Sequence, residues 1–187
     1  IYYLQGKHLH ILGVPEFGAI EAASSMTFSD STPVAMMLDG DQLVVISTMY
    51  PWAIANNHPV ADAMGWDDEY NMWRSNSLTK FTVIDITNRS QPEVDRELFI
   101  EGSYITAREV NGTVRTITHA SMNVPGVGSW LDLPAGYWNL EYDDPLRLEI
   151  REKLGYQRMQ SNSEALEMLT LEDLIPQVYE YLSLIHI

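Results

Sequence analysis

Short runs rich in aromatic and β-branched residues, each closed by a turn signal, follow one another from residue 1 to residue 121. IYYLQ (1–5) and HLHILG (8–13) flank Gly6-Lys7, a two-residue turn of the Gly-X kind. AIEAASSMTF (19–28) follows after Pro15 and Gly18. PVAMML (33–38) and QLVVIST (42–48) flank Asp39-Gly40-Asp41, and SYITAREV (103–110) and TVRTITHA (113–120) flank Asn111-Gly112. Asp-Gly and Asn-Gly are strong hairpin signals. Between LTKFTVIDIT (78–87) and EVDRELFIEG (93–102) lies NRSQP, where Asn, Ser and Pro supply the turn. Strands this short, recurring at roughly 8–12 residues, predict an all-β sandwich, barrel or propeller.

Two units repeat imperfectly: MMLDGDQLVVIST and ITAREVNGTVRTITHA each read as strand, Gly-bearing turn, strand, long departure. Self-similarity of that kind favours a propeller over a barrel. The first departure, 49–77, has no sustained period. The second, 122–182, opens on a Gly/Pro loop and then turns helical. Asp144-Pro145 reads as an N-cap with Pro at the first helical position, and Gly155 as the stop of that helix. SNSEALEML and TLEDLIP read as two further short helices, the latter with Thr170 and Asp173 as a capping-box pair and Pro176 as its end.

Composition narrows the function classes. A formal net charge of −15 over 187 residues argues against a nucleic-acid partner, whose phosphates such a surface repels. The absence of Cys excludes a disulfide framework and thiolate metal sites. No apolar run approaches the ~20 residues that span a bilayer. The chain opens inside a strand and closes on SLIHI (183–187), a tail without turn chemistry. Both ends read as those of an internal piece of a larger protein, with 183–187 a non-native tail.

MMLDGDQLVVIST, then TKFTVIDITNRSQPEVDRELFIEGSYITAREVNGTVRTITHA, then ALEMLTLEDLIPQVY, in that order, resemble the secreted bacterial and archaeal β-propeller family distantly related to WD repeats. The resemblance spans nearly all of 1–182. It implies a propeller of four-stranded antiparallel blades and an extracellular or envelope setting, and it implies no activity. On that scheme 1–28 supplies part of one blade and 33–102 a complete blade interrupted by insertion 49–77. Residues 103–120 begin the next blade, and 122–182 is its loop and helical insertion. Gly102 marks the crossing, where the lack of a Cβ eases the change of direction.

All five tryptophans fall in the two insertions. Trp66, Trp73, Trp130 and Trp138, with Asp67 and Asp68, are the candidate partner-binding residues. Aromatic faces stack on apolar ring faces, and carboxylates take hydroxyl or cationic groups. Against this stands a mini-core in which the indoles pack on Leu146, Ile150, Leu166 and Leu171; a long insertion must bury something to be ordered, which weighs for it. His8 and His10 share a strand face but lack an evident third ligand, so no metal site is expected. No catalytic motif and no cofactor signature is present. The expectation is a non-catalytic binding propeller for a protein or polysaccharide. The alternative is an extracellular enzyme, hydrolase-like or metal-dependent, with its active site at the propeller axis.

Overall fold

The computed structural model describes residues 1–55, 58–64, 66–67, 72–121, 123–124 and 126–182. Its strands are almost all those the turn signals delimit. β1 (Tyr2–Gln5), β2 (His8–Gly13) and β3 (Glu21–Thr27) form one antiparallel sheet. β4 (Thr32–Asp39), β5 (Gln42–Met49), β8 (Leu78–Asp85) and β9 (Glu93–Glu101) pair antiparallel in that succession, and β10 (Ser103–Val110) pairs with β11 (Thr113–His119). The short strands β6 (Trp66–Asp67) and β7 (Met72–Trp73) lie in the first insertion.

The turns show why these registers form. Asn111 and Gly112 both have positive φ (55° and 73°), the requirement of a type I′ hairpin whose twist matches that of the strands. At Asp39-Gly40-Asp41 the paired residues are Asp39 and Gln42, so Gly40 (φ 57°) takes the first turn position, as Gly6 does in the first hairpin.

Four strands become five. Val178–Leu182 (β12), which the sequence reading places in the helical insertion, is a strand paired antiparallel with β9. Its docking is non-local. Glu101, a buried carboxylate, accepts from Gln177 N–H (2.8 Å) and from the Tyr179 hydroxyl (3.1 Å), and its own N–H donates to Gln177 O. A strand that depends on a partner 76 residues away leaves no mark in local pattern.

Residues opposite one another in register share a sheet face. One face of the five-stranded sheet therefore carries Leu43, Val45 and Ile84, which pack with Ile86 and with Leu9, Ile11 and Phe28 as the main core. Further along that face, Ser47, Lys80, Phe99 and Tyr179 form one row, and Thr82, Glu97 and Tyr181 continue the row of Val45.

The chain divides into two compact units: 1–66, 75–122 and 176 onward in the first, 67–74 and 123–175 in the second. The second is built on α1 (Pro145–Met168), whose N-cap Asp144 accepts from Leu146 N–H as expected. Gly155 does not stop this helix. Helical backbone runs through it, no Pro follows, and its neighbours are good helix formers, so the modest glycine penalty is absorbed and the first two expected helices are one. The real break is at Leu169-Thr170, where Asp173 accepts from both the Thr170 N–H and hydroxyl and opens α2 (Leu171–Leu174).

Candidate binding surface

In the second unit the Gly/Pro loop is strapped to α1. Asn162 bonds Gly128 reciprocally, accepting from its N–H (3.0 Å) and donating to its carbonyl (2.9 Å). One turn earlier on the same helix face, Arg158 donates from Nε to Trp130 O (3.0 Å) and from Nη2 to an Asp132 carboxylate oxygen (3.1 Å). Glycine at 128 lets the Arg158 guanidinium approach closely, since a Cβ there would sit 3.1 Å from it and push it aside by a few tenths of an ångström. The backbone on either side of Trp130 is thus fixed while its indole is 81% exposed. Beside it lies a recess of about 210 Å³ lined by Leu131, Asp132, Leu154, Gln157, Arg158 and Ser161.

Trp138 is held differently. A 3₁₀ turn over Ala135–Asn139 places it edge-on to buried Tyr137, with ring centroids 5.1 Å apart. The Arg147 guanidinium lies 4.8 Å from the Tyr137 ring, 5.7 Å from Tyr142 and 6.0 Å from Trp138, within cation–π range of all three. The indole remains 70% exposed. Neither tryptophan is buried on the helices, and Leu146, Leu166 and Leu171 are themselves exposed, so the mini-core expected as the alternative does not form around these two.

The structure places Trp66 and Asp67 in β6 and Trp73 in β7; their side chains and the whole of Asp68 lie outside the described residues. His8 and His10 share a face, with rings 6.1 Å apart, but differ from plain exposed histidines. His8 meets Thr27 Oγ1 at 3.0 Å, and His10 is half-buried and stacked on Tyr3. Among the described residues no three His, Asp or Glu side chains converge as metal ligands do.

A family model described as Beta propeller domain matches residues 1–186. The chain belongs to that family. The open antiparallel sheets of this propeller agree with it. No curated protein and no solved structure matches the chain. Among the described residues no helix is long and apolar enough to cross a membrane.

Sequence reasoning missed an ionic cluster in the first unit of the propeller. Lys80, almost wholly buried on β8, pairs with Asp30 Oδ2 and with Glu97 Oε1, each at 2.7 Å, and its ammonium is 5.4 Å from the Phe99 ring. The second Glu97 oxygen is 3.7 Å from His58 Nε2, and the His58 ring meets Phe99 and Tyr181 edge-on. Burial alone raises the Asp30 carboxyl, yet hydrogen bonding and charge from Lys80, with the Ser31 hydroxyl, carry it below its ordinary value. A lysine inside an apolar strand run, TKFTVI, is the one sequence signal that pointed here.

Proposed function

We propose that this propeller is a non-catalytic binding protein of the cell exterior or envelope that captures a polysaccharide or protein partner through aromatic residues of its insertions. One observation carries the reading: Trp130 stands out into solvent on a loop whose backbone is tied down on both sides by Asn162 and Arg158. An aromatic anchor fixed before binding loses little entropy on capture, which is what distinguishes a contact residue from an incidentally exposed one. Trp138, presented by the Tyr137–Arg147 cluster, offers a second. The extracellular setting is supported by the resemblance of the three sequence blocks.

The test is binding to an array of polysaccharides and to extracted surface proteins, with Trp130→Ala and Trp138→Ala alongside the parent. Trp130→Ala is expected to change stability by no more than about 0.5 kcal/mol, and Trp138→Ala, which also removes the edge-on contact with Tyr137, by about 1 kcal/mol, while both weaken capture. Capture by neither array, or capture indifferent to both substitutions, overturns the proposal.

A further inference from the structure

Tyr50 and Trp52 flank Pro51 where the first insertion leaves β5. Their rings are 4.6 Å apart and 6° from parallel, and both are more than half exposed. Pro51 opens a short 3₁₀ turn, with Ala53 N–H donating to Tyr50 O and Ile54 N–H to Pro51 O, so the stacked pair rides on a tight turn. Directly after Trp52, residues 53–55 line a cleft of about 320 Å³ whose other walls are Ser29, Asp30, His58 and Phe99. Alanine at 53 and 55 keeps that wall low.

The polar groups of the cleft are fixed by what lies behind them. Lys80 and the Ser31 hydroxyl use one bond on each Asp30 oxygen, and a carboxylate accepts about four in all. His58 Nδ1 accepts from Val60 N–H, so the neutral ring carries its proton on Nε2, toward Glu97. The volume lies at the small end of ligand pockets, which run from about 300 to 1,000 Å³, and suits one residue of a polymer. The outer face of a stacked aromatic pair, beside a carboxylate and a hydroxyl, is the chemistry that takes a sugar: apolar ring face on the aromatic, hydroxyls on the oxygens. The Asp30 carboxylate and the net charge of −15 disfavour an anionic sugar.

We infer that Tyr50, Trp52 and the adjoining cleft form a carbohydrate subsite for a neutral or amine-bearing glycan, one sugar residue stacked on the outer face of Trp52, which Tyr50 backs, and the next seated against Asp30 and Ser29. This rests on the reading of the propeller as a polymer-capturing protein and names the polymer. The experiment is titration of the full chain with cello-oligosaccharide, deacetylated chito-oligosaccharide, oligogalacturonate and a Lys-rich peptide. The expected result is binding of the first two and neither of the last two. Trp52→Ala, and Ala55→Leu which narrows the cleft without removing a charge, are each expected to weaken binding at least about tenfold with the melting temperature unchanged. Binding that survives both substitutions, a preference for the uronate or the peptide, or no glycan binding at all overturns it. Trp130→Ala in the same titrations separates the two proposals. Loss there with Trp52→Ala silent removes the subsite and leaves the broader reading. Loss only in Trp52→Ala leaves the subsite and removes Trp130 as the carrier.

Discussion

Lys80 shows how much one buried charge can organise. Its ammonium joins Asp30, from the segment entering β4, to Glu97 on β9, and Glu97 in turn faces His58 of the first insertion. The Asp30 carboxyl is held below its ordinary 3.8, so the folded chain binds fewer protons there than the unfolded chain does. The stability this supplies is complete above the ordinary value and is lost as pH falls through the lower folded one. The parent is therefore expected to lose melting temperature more steeply than Asp30→Asn between about pH 5 and about pH 2. Parallel pH profiles for the two proteins, measured by thermal denaturation, would show that the Lys80 pair contributes no such stability. The partners of Lys80 were not legible in sequence, since they come from positions 50 residues before it and 17 after it with no shared motif.

At the scale of elements, two glycines make opposite predictions. Gly102, between β9 and β10, has φ 111°, and a Cβ there would lie 2.9 Å from the backbone oxygen of His119. Gly102→Ala is expected to destabilise the propeller by about 1–3 kcal/mol, from the unfavourable φ and the rigid clash together. Gly155 is helical and a Cβ on it would meet nothing. Gly155→Ala is expected to stabilise by up to about 1 kcal/mol. Urea denaturation of both variants checks this, and equal shifts in either direction would refute the contrast. The place of Gly102 between two strands was readable because the patterns of both strands flank it directly. That of Gly155 was misread because a lone glycine stops a helix only when the chain beyond it cannot continue, and here it can.

Across the whole molecule, protection is unevenly distributed. β5 and β8 are central strands, paired on both sides, and they supply most of the fully buried side chains. Every residue of α1 is at least partly exposed, and the helix is tied to its unit by side chains such as Arg158 and Asn162. Hydrogen exchange is therefore expected to be slowest in β5 and β8 and markedly faster along α1, because local opening of the helix uncovers little apolar surface. Comparable protection in the helix and the central strands would contradict that ordering.

The sequence by itself determined nine of the strands, their hairpin turns and the helix caps at Asp144 and Thr170, because the φ requirements of turns, the patterns of strand residues and N-capping are local properties. It also singled out Trp130 and Trp138 by their place in the insertions, though not how they are held. Only the tertiary structure decided that 178–182 closes on β9, that Trp130 sits on a backbone fixed by Arg158 and Asn162, and that Lys80 gathers Asp30 and Glu97. Each of these joins groups brought together by folding rather than by pattern. A single chain carries no local record of which distant carboxylate, carbonyl or strand edge will satisfy a buried polar group.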